Sequence, residues 1–249
     1  MQRKAGETQA DYDRRRRIAF GLFAALGANF LWGVTPLYYQ PVLHLPPATI
    51  VGVRCLASIP LIVLVALLVG EPLRVPRKLA AVLVFNGLLL LANWLMFTYC
   101  VATKIVVQAS LAYFLTPLVM VGLGALLLGE RLRRMQLASL TIAAFGCGLL
   151  VLDAGNVTWI AVTMASVFGL YSTLRRKFDV PAVGGLFWES LVCVPAAIGL
   201  LLWFGLPGMQ DAADPHLGFT WLVLIGSACF TVFPLTLFGA ATRRLSMRT

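Results

Sequence analysis

Eight apolar runs, separated by short segments that hold most of the charge, limit what this chain can fold into. Crossing the hydrocarbon core of a bilayer takes ~20 residues of helix. The runs are Ile18–Tyr39, Pro47–Val69, Leu79–Cys100, Val106–Leu128, Leu137–Leu152, Val157–Leu174, Ala182–Leu206 and Phe219–Ala241. A water-soluble domain interrupts such stretches sooner and carries about twice the charge of this chain, in which 12% of residues are charged and 60% hydrophobic. The expectation is an all-α membrane protein of about eight transmembrane helices in the bacterial cytoplasmic (inner) membrane.

The distribution of basic residues orients these spans. Residues 1–17 are polar and end in the run Arg14–Arg17. The apolar stretch that follows is longer than the roughly 7–15 residues of a signal-peptide core, so 1–17 reads as an uncleaved cytoplasmic tail. With the N terminus inside, 18 of the 20 Lys and Arg residues fall in the tail and in segments 70–78, 129–136, 175–181 and 242–249. Only Lys104 lies outside, and Arg54 lies within a span. This is the pattern of the positive-inside rule. The formal net charge of +10 therefore reflects topology, whereas nucleic-acid binding gathers basic residues on one face.

The usual sources of covalent chemistry are absent from the pattern. Five cysteines lie in apolar segments without a C-x-x-C pair, and His44 and His216 fall in separate loops, so no metal or cofactor is expected. Glu189 is the one acid well inside a span, short of the clustered groups an enzyme needs. No Gly-rich phosphate loop is present. The chain is not expected to be an enzyme.

Internal similarity adds an architecture. Gly33 in ANFLWGVTPLYY aligns with Gly169 in MASVFGLYSTLR. FTYCVATK, closing span three, aligns with FGAATRR, closing span eight, which sets Phe97, Ala102 and Thr103 on Phe238, Ala241 and Thr242. Arg54 falls within one residue of the counterpart of Glu189. The spacings of 136, 139 and 135 residues agree with a five-helix repeat. An odd number of helices makes the second copy enter the membrane from the opposite side, as in many secondary transporters. The division is a first five-helix repeat at 18–153 and a second at 154–249, truncated after three helices. ATK leads into two further spans, whereas only LSMRT follows ATRR. The sequence thus reads as eight helices of a 5+5 inverted-repeat design, roughly 40–50 residues short of two more spans.

Several segments resemble the RarD family of EamA-type transporters, in the drug/metabolite transporter superfamily. They are FLWGVTPLYYQ at Phe30–Gln40, NWLMFTYCVAT at Asn93–Thr103, QASLAYFLTPLV at Gln108–Val119, LLLGERLRRMQ at Leu126–Gln136, FGLYSTLRRK at Phe168–Lys177 and FGAATRRLS at Phe238–Ser246. The resemblance implies export of a small metabolite or drug by alternating access. The chain departs from the family pattern in lacking the last two helices and in placing Gln108 where the pattern often has Glu. The competing reading is an inactive truncated fragment or a membrane assembly partner.

Candidate substrate-binding residues follow from polarity inside the spans. Arg54 lies about seven residues into span two, ~10 Å deep at 1.5 Å per residue. A charge there costs at least ~2.5 kcal/mol unless it meets water, a partner or the bundle interior. It reads as an anion anchor or a structural ion pair. Glu189 holds the pseudo-symmetric place in span seven, where a carboxyl binds a cation, carries a coupling proton or serves as a hydrogen-bonded structural acid. The two differ in depth by ~10 Å in a ~30 Å core, which sets them at opposite ends of one cavity. Asn93, Trp94, Gln108 and Tyr113 offer amides and rings for an amphipathic solute or for helix bridging and interface anchoring. Trp32 and Tyr171 flank the repeat-related glycines. Gly33, Gly122, Gly124, Gly146, Gly148 and Gly169 read as close helix contacts. The expected partners are a small-molecule substrate and the lipid bilayer. Proton coupling and a homodimer are open at this level.

Overall fold

The computed structural model of the chain describes residues 8–129, 134–153, 159–206 and 215–245. Part of the basic segment 129–136, the expected repeat junction after residue 153 and most of the loop 207–218 lie outside the described residues. The α-helices are α1 (Gln9–Tyr38), α2 (Pro47–Val69), α3 (Ala80–Ala102), α4 (Val106–Leu128), α5 (Arg134–Asp153), α6 (Trp159–Lys177), α7 (Ala182–Phe204), α8 (Leu217–Gly226) and α9 (Cys229–Leu245). Six helical stretches are long and apolar enough to cross a bilayer: α1, α2, α3, α4, α7, and α8 with α9 taken together. With 20 and 19 residues, α5 and α6 stand at the fifth and sixth expected spans.

Local chemistry explains the helix ends. Proline opens α2 at its first position, where the missing N–H has no helical partner to lose, and Gly70 ends it in a left-handed turn at φ 71°. Gly129 ends α4 in the same way at φ 65°. Helix α1 begins before the expected span at Ile18, so residues 9–17 of the expected tail are helical. Thr8 caps this extension, its Oγ1 accepting from the Asp11 amide at 3.2 Å, the arrangement that satisfies an orphan N–H of the first turn.

The eighth expected span departs from a single helix. It breaks between Gly226 and Cys229, where the Ser227 hydroxyl donates to the Leu224 carbonyl at 2.6 Å. The Ser227 amide also reaches the carbonyls of both Val223 and Leu224, which tightens the turn. Such local side-chain bonding competes with the helical ladder.

The helices alternate in direction, which gives the bundle a Tyr39 end and an Arg175 end. At the Tyr39 end, Thr49 of α2 donates to the Gly205 carbonyl after α7 at 3.1 Å, and Tyr38 donates to the Val223 carbonyl of α8 at 2.9 Å. At the Arg175 end, Trp188 of α7 donates to the Leu73 carbonyl after α2 at 2.9 Å.

The core pairings are α2 with α7, α3 with α6 and α7, α1 with α9, and α4 with α6, with α2 also meeting α8 and α9. Apart from α4, these pairings interchange when α1–α3 are exchanged with α6–α9. Outward faces are apolar, as lipid requires: Leu126, Leu202 and Trp203 are each more than 80% exposed.

Of the glycines expected at helix contacts, Gly169 meets a neighbour, for a Cβ there would lie 2.7 Å from Val119 of α4. Gly33, its counterpart on α1, faces nothing within 4 Å, nor do Gly122, Gly146 and Gly148. Helix α4 packs beside α6, and α1 has no equivalent neighbour among the described residues. An equally close approach, here to backbone, occurs at Gly87 of α3, where a Cβ would come within 2.7 Å of the Glu189 carbonyl on α7. Gly87→Ala should therefore destabilise the protein by about 1–3 kcal/mol, while Gly33→Ala should stay within about 0.5 kcal/mol of the parent. Thermal unfolding in detergent distinguishes them, and equal melting temperatures would contradict this packing.

Candidate solute site

The site begins with Arg54 of α2, which is 3% exposed. Its place is set by Tyr39, the residue that ends α1 with its amide on the Thr35 carbonyl at 3.2 Å. Tyr39 is fully buried, and its hydroxyl accepts from Arg54 Nη1 at 2.7 Å. The guanidinium carbon also lies 5.0 Å from the Trp94 ring centroid, a cation–π contact worth ~2 kcal/mol when desolvated. These contacts hold the guanidinium but leave Nε and Nη2 buried without a hydrogen-bond partner. Nε and Nη2 share one edge of the guanidinium plane, the edge that forms a two-point fork with a carboxylate.

Arg54 lines a small cavity with about 30 Å³ of interior space, room for about two waters. Its walls are Trp32 and Thr35 of α1, Arg54, then Leu90, Asn93, Trp94 and Phe97 of α3, and Tyr113 of α4. Phe168 of α6 and Phe230, Thr231 and Leu235 of α9 complete them. Trp32 joins α1 to α6 and α4, its ring 5.6 Å from that of Phe168 in an edge-on contact and 6.5 Å from Tyr113 in a stacked one. The break before α9 brings Phe230 and Thr231 to this wall, and the Thr231 hydroxyl is buried without a partner.

A second polar cluster lies at the Arg175 end. Glu189 of α7 is fully buried and forms an ion pair with Arg175 of α6 at 2.6 Å. Tyr171 donates to the same carboxylate oxygen at 3.1 Å, and Asn86 of α3 donates to the other at 3.2 Å. Arg175 Nη2 donates to the carbonyls of Pro181 and Ala182 at 2.8 and 2.9 Å. The cluster ties α3, α6, α7 and the connection between α6 and α7 together.

The eight candidate residues thus separate. Arg54, Asn93, Trp94, Tyr113 and Trp32 converge on the cavity. Glu189 and Tyr171 meet each other in the ion-pair cluster and are not among the cavity's lining residues. Gln108 lies in the first turn of α4, five residues before Tyr113 and also outside the lining. Sequence reasoning missed Tyr39, Phe168, Thr231, Asn86 and Arg175. Two had a readable signal: Asn86 precedes Asn93 by seven residues, on the same face of α3, and the 136-residue offset sets Arg175 on Tyr39.

A bundle of apolar helices around a polar and aromatic cavity lined from α1–α4, α6 and α9 is the build of a membrane transporter. The model of the EamA-like transporter family matches residues 19–152. An uncharacterised transporter of Vibrio cholerae is 34% identical over 92% of this chain and 77% of its own length. Protein RarD of Salmonella typhimurium is 32% identical over 92% of this chain and 79% of its own. Chloramphenicol-sensitive protein RarD of Pseudomonas aeruginosa is 26% identical over 91% and 78%. No solved structure matches the chain. The chain belongs to the RarD/EamA family of the drug/metabolite transporter superfamily, and is a multi-pass membrane transporter.

The ion-pair cluster makes a stability prediction. Removing one partner of a buried pair leaves the other charge uncompensated, at a cost of about 3–5 kcal/mol. Glu189→Gln and Arg175→Gln should each destabilise the protein strongly, and the double variant should lose far less than their sum. Additive losses in a double-mutant cycle of thermal unfolding would contradict the pairing.

Proposed function

We propose that the protein is a secondary transporter that exports a small metabolite or drug across the cytoplasmic membrane by alternating access, with the cavity around Arg54 as its solute site. The observation that carries this reading is the shared wall. The cavity takes α1–α4 from one half and α6 and α9 from the other, so rocking one half against the other changes which side it opens to.

The packing exchange between α1–α3 and α6–α9 supports the division into repeats at 18–153 and 154–249. The basic segments support a cytoplasmic N terminus and a cytoplasmic Arg175 end. On this orientation the Glu189 cluster is an inner gate. A proton on Glu189 removes the negative half of the ion pair with Arg175 and frees α7 from α6, which supplies a route for coupling to a proton gradient. The printed name of the Pseudomonas aeruginosa relative makes chloramphenicol the first drug to test.

Alternating access is testable without knowing the solute. With the five native cysteines replaced by alanine, Thr35→Cys places a single thiol on the cavity wall. A membrane-impermeant maleimide should label it in both right-side-out and inside-out vesicles. Labelling from one face alone would contradict the mechanism.

A further inference from the structure

We infer that the solute class of this cavity is the organic monocarboxylate with a flat apolar body and no ammonium group. The inference depends on the transporter reading for the solute's movement but not for its binding. Three observations carry it. The first is the open edge of Arg54, whose Nε and Nη2 are buried, unpartnered and held in place by Tyr39 and Trp94. A planar guanidinium edge matches the two oxygens of a carboxylate, which form parallel charge-assisted hydrogen bonds with it. The Thr231 hydroxyl on the same wall adds a third unpartnered donor.

The second observation is the sign of the charge. Among the described residues no acid lines the cavity, and Glu189 is already paired with Arg175. One carboxylate neutralises the single cation of the cavity, so the loaded site carries no net charge through the apolar bundle. A phosphate dianion would leave an excess negative charge, and an ammonium group would enter beside Arg54 with no anion to meet it. The amino acid corresponding to a given carboxylate is therefore a poorer occupant.

The third is the rest of the wall. Trp32, Trp94, Phe97, Tyr113, Phe168 and Phe230 supply the rings of the wall, which suit a flat apolar body admitted when the helices part and offer few partners to a heavily hydroxylated one.

Calorimetric titration of the full chain in lipid nanodiscs tests this with three probes of one shape: phenylacetate, phenylacetamide and phenylalanine. Phenylacetate should bind the parent at least about tenfold more tightly than the other two, as expected from replacing a neutral hydrogen bond with a charged pair. Arg54→Lys should keep part of that preference and Arg54→Gln should abolish it. Equal binding of the three probes by the parent, or an unchanged preference in Arg54→Gln, would overturn the inference. The parent comparison needs no variant to fold. Counterflow of labelled phenylacetate in proteoliposomes separates the two readings. Preferential binding without counterflow overturns transport and upholds the carboxylate site, whereas transport of other solutes without carboxylate preference does the reverse.

Discussion

Inside a bilayer the backbone satisfies its own hydrogen bonds by forming helices, so any remaining polarity has to face another side chain or a cavity. In the interior of this bundle that constraint is met in two different ways. Glu189 is surrounded by donors from Asn86, Tyr171 and Arg175, and its charge is balanced. Arg54 donates one hydrogen bond, from Nη1 to the Tyr39 hydroxyl, and lies against two aromatic faces, and the rest of its guanidinium stays open. A charge-balanced polar cluster of this kind rigidifies the helices it joins. An incomplete one at a cavity is, on the proposed function, the place where a solute binds. The cavity, its charge and the place of α7 follow from this difference.

The two clusters also occupy corresponding places. Counting 136 residues from Tyr39 reaches Arg175, and 135 from Arg54 reaches Glu189, so each pair joins the end of one helix to the first turns of the next. One copy combines a neutral phenol with a cation, and the other a cation with a carboxylate. The first therefore keeps donors to spare and the second keeps none. On the proposed function, the same helix-end arrangement is a solute site at the Tyr39 end and a latch at the Arg175 end.

Much of this was legible in the sequence because a bilayer makes errors of polarity expensive. The bounds of α2 and α4 were readable to the residue from Pro47, Gly70 and Gly129, and Arg54 stood out as a cation inside an apolar run. Asn93, Trp94 and Tyr113 were readable as amide and rings near the same depth. Arg175 was hidden among the basic residues that mark a membrane boundary, although it turns inward to Glu189. Phe168 and Phe230 carried no signal, since phenylalanine is as ordinary on a lipid face as on a cavity wall. The break before α9 depends on where the Ser227 hydroxyl points, which hydropathy does not encode. Gly33 and Gly169 look alike in sequence and differ only in whether a helix lies beside them.

The proposed site depends on Arg54 being an open cation in the cavity lined by α1–α4, α6 and α9. An experimental structure of the full chain with 4-bromophenylacetate tests it most directly. The account predicts a bromine signal among Trp32, Trp94 and Phe168, with the carboxylate across Nε and Nη2 of Arg54. Arg54 paired with a protein carboxylate, or the space between these rings closed by side chains, would contradict it.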